Sequence, residues 1–252
     1  MSWSLWDELK NRFDFGIRSR FRWDGPGHSH PSTATLPPEL GEFLNGFRWD
    51  EWMPRFFAKR RSLTVADIGA KDFFLASLLN ERFSWRGEPP RVFGIELDGY
   101  RRYRNLATRA AMGKLNAAHI PRGEYHVMDF LDWDTPLDVA VLLSPFVTEE
   151  PLRRWGLPRT YFRPEELFAK LARTLQPCGL CLVSCPTEKE FSLASRYADR
   201  AGLRCLERRD WAPTSPDSER SPRFAALYAR DCSEGSSDGV EKRHEEQGQG
   251  GR

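Results

Sequence analysis

No stretch of the 252-residue chain approaches the roughly 20 consecutive apolar residues that cross a bilayer as a helix. The first residues hold acids and arginines where a secretory leader has an apolar block, so a cytoplasmic location is the expectation. An excess of one charge is also missing. With 38 basic and 36 acidic side chains the formal net charge is +2, so no global field recruits nucleic acid or an anionic membrane. Cysteines are few and odd in number, five in all, which suits reduced thiols rather than a disulfide framework. Cys178, Cys181 and Cys185 fall in a short run that resembles part of a metal site. However, Cys178 follows Pro177 in a turn, and Cys181, Val183 and Cys185 share one face of a strand, so core packing is expected and no metal. His28 and His30 lie in a Pro/Gly-rich stretch with too few further ligands to hold one.

The chain divides into three parts. Residues 1–60 read as a helical extension and linker, in which Trp3, Trp6, Leu9, Phe13 and Ile17 recur at helical spacing before a Pro/Gly/Ser segment. A second short helix is expected over 38–47, followed by the aromatics Trp49, Trp52, Phe56 and Phe57 as core cover. Residues 61–230 alternate strand and helix. Strands are predicted at 63–68, 91–96, 125–128, 137–143 and 180–184, with helices at 73–83, 100–118, 164–175 and 188–201. Segments 203–209 and 223–229 flank a polar connection without helical pattern, so the sheet should finish as an antiparallel hairpin. Residues 231–252 are dominated by Gly, Ser, Glu and Gln, and disorder is expected there.

The most informative segment is Val65-Ala-Asp-Ile-Gly-Ala-Lys-Asp-Phe73, followed by Val92-Phe-Gly-Ile-Glu-Leu-Asp98. It reads as a buried strand, a glycine turn, a helix and a second strand ending on an acid. That layout can receive an adenosyl group, since the turn exposes backbone and the second strand delivers a carboxylate to a ribose diol. A dinucleotide fingerprint needs three glycines where this turn has Gly69 alone, and a pyrophosphate would meet Asp67 and Asp72. A ligand bearing an ammonium and a sulfonium finds those carboxylates favourable, which points to S-adenosylmethionine.

The order of elements and these motifs together resemble the class I S-adenosylmethionine-dependent methyltransferases over about residues 60 to 230. The resemblance implies an α/β, Rossmann-like methyltransferase sandwich, with a seven-stranded, mostly parallel sheet, an antiparallel last strand and helices on both faces. It implies that Asp67, Gly69, Ala70 and Lys71 face the methionine end of the cofactor, and that Glu96 takes both ribose hydroxyls. Asp129 and Phe130 would meet the adenine, and Ser144 would reach the site from the fourth strand. Two departures stand out. Ala70-Lys71-Asp72 fill a turn where many members have Gly-x-Gly, and Ser144-Pro145-Phe146 lacks the acceptor amide of enzymes that methylate planar nitrogens.

The segment 148–162 is long for the connection after a fourth strand. Trp155 and Tyr161, with Phe146, Arg153 and Arg154, are candidates for a rim holding an aromatic or anionic acceptor. The three arginines of Tyr100-Arg-Arg-Tyr-Arg104 are read as surface charges paired with acids rather than as a phosphate contact. No general base is evident, so the catalytic residue is unknown. The expected activity is in-line methyl transfer to an unidentified small-molecule or macromolecular acceptor. The alternatives are a non-catalytic cofactor-binding or scaffold protein that keeps the fold, or a different adenosyl-group enzyme such as an aminopropyl transferase. Nothing in the sequence indicates the oligomeric state.

Overall fold

The computed structural model describes residues 38–103, 105–210 and 224–232, together with Leu5, Trp6 and Leu9. The last three lie in helical conformation with exposed side chains. The remainder of the expected lead-in helix, the linker and the tail beyond residue 232 lie outside the described residues.

Seven strands form one sheet: β1 (Thr64–Ile68), β2 (Arg91–Glu96), β3 (Gly123–Val127), β4 (Leu137–Leu143), β5 (Leu175–Cys185), β6 (Arg204–Asp210) and β7 (Phe224–Ala229). Their order is β3-β2-β1-β4-β5-β7-β6. The first five are mutually parallel, while β7 runs antiparallel to both β5 and β6. The predicted terminal hairpin is therefore present. The order reverses between β1 and β4, and in open α/β sheets the crevice at the carboxyl ends of the strands beside such a reversal receives ligands.

Alternation along the strands builds two cores. Val65, Val92, Val139, Leu182 and Leu227 point to one face, under α1 (Pro38–Asn45), α2 (Trp49–Phe57) and α3 (Ala76–Arg82). Ala66, Phe93, Ala140, Val183 and Tyr228 point to the other, under α6 (Pro164–Thr174) and α7 (Glu188–Arg200). Strands covered on both sides must be apolar at nearly every position, which is why β1 and β4 were readable as continuous runs. α2 was not anticipated as a helix. Its buried residues Trp49, Met53 and Phe57 recur every four positions, and Trp49 is fully buried, donating its indole N–H to the Leu44 carbonyl at 2.7 Å.

Two helices start later than expected. The one expected over 73–83 begins at Ala76, because Lys71 and Phe73 have φ of 52° and 59°, a left-handed conformation that no right-handed helix contains. The one expected over 100–118 is α4 (Arg109–Ala118) alone. Thr108 caps it by accepting the Ala111 N–H at 3.0 Å. Residues 100–103 and 105–107 are not helical, and the Arg109 N–H donates to the Arg101 carbonyl at 2.9 Å.

The reading of the cysteines also needs correction. Cys178 and Cys232 form a disulfide, while Cys181 and Cys185 are buried thiols and Cys205 an exposed one. The bridge was missed because Cys232 falls in a polar segment taken for an unstructured tail. In the fold, β7 runs beside β5, the Arg230 N–H donates to the Gly179 carbonyl at 2.9 Å, and Cys232 arrives next to Cys178. Cys181, Val183 and Cys185 do share one core, as the strand parity predicts.

Candidate functional site

β1 and β2 lie in register, Asp67 opposite Gly94, and Glu96 is the last residue of β2. Gly69 follows β1 with φ of 80°, a conformation that glycine adopts without steric cost. The N–H groups of Gly69 and Ala70 both donate to the Ile95 carbonyl, at 2.8 and 3.1 Å, tying the turn to β2. Lys71 occupies the place of the second glycine in Gly-x-Gly, and it keeps a glycine-like φ at a cost of roughly 1–2 kcal/mol. Its carbonyl accepts from the Tyr125 hydroxyl, one of the contacts that hold it there.

The turn and the strand end converge on Glu96, which is 6 % exposed. Its Oε2 accepts the Lys71 N–H at 2.8 Å and its Oε1 the Asp98 N–H at 2.7 Å. The Arg109 guanidinium stands 3.8 Å from Oε1. Burial raises the Glu96 pKa, opposed first by the Arg109 charge. Asp67 is 2 % exposed, and among the described residues its Oδ2 has no hydrogen-bond partner. Burial, then the Glu96 charge, push its pKa up to about 8. Asp72 is raised by burial as well, opposed by a hydrogen bond from Tyr103.

The cations beside these carboxylates meet Trp155. Its indole faces the Lys71 ammonium at 5.3 Å, the Arg101 guanidinium at 5.0 Å and the Arg109 guanidinium at 4.6 Å, measured to the ring centroid. Arg101 also pairs with Asp98 at 2.8 Å and donates to the Trp155 carbonyl. Phe146 meets the indole edge-on at 6.4 Å.

Glu96, Lys71, Trp155 and Phe146 are thus drawn together, with Asp67 and Asp72 electrostatically coupled beneath them. The other candidates are less central. Asp129 accepts the Leu131 N–H at 2.9 Å and pairs with Arg163. Phe130 is buried in the core under α6. Ser144 is exposed, with φ of 57° and its N–H on the Ser184 carbonyl at 2.8 Å. Tyr161 lies 5.9 Å from the Arg163 guanidinium. Arg153 and Arg154 both bind Glu150, at 2.9 and 3.2 Å, within α5 (Glu149–Arg154). The pairing of Arg101 with an acid near Glu96 is as expected, but the pair is buried rather than on the surface, and Arg109 has no counterpart among the sequence candidates. Among the described residues no group of three or more His, Cys, Asp or Glu side chains could hold a metal ion, and no helix is long and apolar enough to cross a membrane.

The fold is that of the class I methyltransferases. Magnesium protoporphyrin IX methyltransferase from Synechocystis PCC 6803, solved with bound S-adenosylmethionine, superposes with a TM-score of 0.51 at 11% identity, covering 92% of this chain and 100% of that one. The cyclase SpnF superposes with a TM-score of 0.52 at 10% identity, covering 90% and 96%. One neighbour is a methyltransferase and the other a cyclase, so the shared architecture leaves the chemistry open. No protein-family model matches the chain, and no curated protein matches its sequence.

Proposed function

We propose that this chain, built on the methyltransferase fold, is an S-adenosylmethionine-dependent methyltransferase acting on an acceptor still to be identified. The observation that carries the reading is the pairing of two buried carboxylates, Asp67 and Glu96, at the ends of adjacent parallel strands on either side of the Gly69 turn. The donor set suits the cofactor. A carboxylate oxygen without a partner, on Asp67, matches an ammonium. Glu96 has two oxygens for a diol, each with a lone pair beyond the backbone hydrogen bond it already accepts.

In this reading Asp67 and the backbone of Gly69 and Ala70 would hold the amino-acid end, with the Lys71 ammonium toward its carboxylate. Glu96 would hold the ribose. Asp129 would reach the adenine edge with Phe130 behind it, and Ser144 would line the floor. Phe146, Trp155 and Tyr161 would border the acceptor. The cofactor supplies an already activated methyl group on its sulfonium, so the chain's contribution is alignment and exclusion of water. The buried charges around Glu96 serve that end, because a low-dielectric wall strengthens each polar contact inside it.

Isothermal titration with S-adenosylmethionine, S-adenosylhomocysteine and NAD tests the cofactor. Micromolar binding of the first two is expected, and binding of NAD alone would reject it. Incubation with methyl-labelled cofactor and fractionated extract then tests transfer.

A second reading, a cofactor-binding or scaffold protein without turnover, is favoured by one feature. Lys71 stands where the family's turn has a glycine, and its N–H already occupies Glu96. Tight binding of S-adenosylhomocysteine with no label transfer to any fraction would select that reading.

A further inference from the structure

We propose that Trp155 is a latch over the cofactor cleft, and that its indole must swing aside before Glu96 can meet a ribose; this rests on the cofactor reading above. Two hydroxyls must come within about 2.7–3.0 Å of a carboxylate to donate to it. Glu96 is 6 % exposed, which leaves little of it open to a ligand. The guanidinium of Arg109 is 3.8 Å from Glu96 on one side and 4.6 Å from the Trp155 ring centroid on the other. Arg109 thus covers Glu96 and in turn carries Trp155, so release of the indole frees the far side of that guanidinium and lets it give way before a ribose.

The indole is gripped by three separate parts of the cleft. Lys71 belongs to the glycine turn, Arg101 to the loop after β2 and Arg109 to the first turn of α4. A cation over an aromatic face is attracted by the ring quadrupole, so one ring bridges elements that a bound adenosyl group would otherwise hold together. The frame around it is fixed. Leu152 and Leu157 are buried, and Glu149 and Glu150 pair with Arg159 at 2.8 Å and Arg153 at 2.9 Å, keeping the charges of this segment internal. Trp155 itself is half-buried, and Gly156 beside it has φ of 60°. A side chain seated on a fixed frame next to a glycine can move while the segment stays docked.

A closed state that dominates reduces apparent affinity by the fraction of open molecules. Trp155→Ala is therefore expected to bind S-adenosylhomocysteine about tenfold more tightly than the wild type, with faster association in stopped flow, and Trp155→Phe to fall between. In the wild type, saturation with S-adenosylhomocysteine should raise the accessibility of the Trp155 indole to acrylamide, read as the difference in quenching between wild type and Trp155→Phe. Unchanged indole accessibility, or equal or weaker binding by Trp155→Ala without faster association, overturns the latch while leaving the cofactor reading standing. Failure of the wild type and both folded variants to bind overturns the cofactor reading, and the latch with it.

Discussion

The ring of Phe73 lies against the bare α-carbon of Gly94: a Cβ built on Gly94 would stand 2.6 Å from the ring's Cγ. Phe73 holds a left-handed φ of 59° in the turn after β1, and Gly94 is the residue of β2 opposite Asp67. Absence of a side chain at one position is what admits the large one at the other. The pair sets the height of the turn that brings the Lys71 N–H to Glu96.

Gly94→Ala should consequently overpack this contact and cost about 1–3 kcal/mol of stability. Phe73→Ala removes the obstruction, so in that background the same change should cost far less. Urea unfolding of the four proteins in the cycle checks this. Equal effects of Gly94→Ala in both backgrounds would show that the two residues are not coupled.

Asp67 predicts a pH dependence. Its folded pKa of about 8 lies above the ordinary 3.8, so between those values the folded protein keeps a proton that the unfolded chain releases. Its contribution is complete below 3.8, declines as pH rises and is gone above about 8. Asp67→Asn lacks this titration, so its stability relative to the wild type should improve from pH 4 to pH 8. Glu96, Lys71 and Asp72 face the same group, and the paired comparison removes their shared background. A constant difference across that range would contradict the assignment.

Glu96→Gln leaves one of two backbone donors without an acceptor and removes the charge facing Arg109. A loss of about 1–3 kcal/mol is expected in denaturant unfolding. Under the cofactor reading, S-adenosylhomocysteine affinity should fall by on the order of tenfold, the weight of one hydrogen bond to a charged group. Loss of stability with unchanged affinity would leave Glu96 a structural role alone.

The bridge from Cys178 to Cys232 spans 54 residues. Closing a loop of that length restrains the unfolded chain, and Cys232→Ser should lower stability by about 2–4 kcal/mol. Thiol titration of unreduced, denatured protein should count three of the five cysteines, namely Cys181, Cys185 and Cys205. Five reactive thiols would remove the bridge.

Legibility from the sequence followed burial. β1, β2 and β4 were readable because strands covered on both faces leave almost no polar position. α6 and α7 were readable because Pro164 opens one helix, while Thr187 caps the other by accepting the Glu190 N–H at 3.2 Å. The starts of α3 and α4 were not, because Lys71, Phe73 and Leu106 take positive φ values that their residue types disfavour. Such conformations persist through neighbours distant in the chain, here Tyr125 on Lys71 and Gly94 on Phe73. The same distance hid Cys232, which composition alone assigned to a tail.

Residue order is enough to place Asp67 and Glu96 at the carboxyl ends of neighbouring strands, because apolar runs and a glycine turn dictate a parallel αβ layer whatever surrounds it. It says nothing of the company those carboxylates keep. Arg109 comes to Glu96 from a late helix start, and Trp155 comes to Arg109 from a connection beyond the fourth strand, and a charge is buried only where its partners meet it in space. That meeting is a property of packing, not of spacing along the chain.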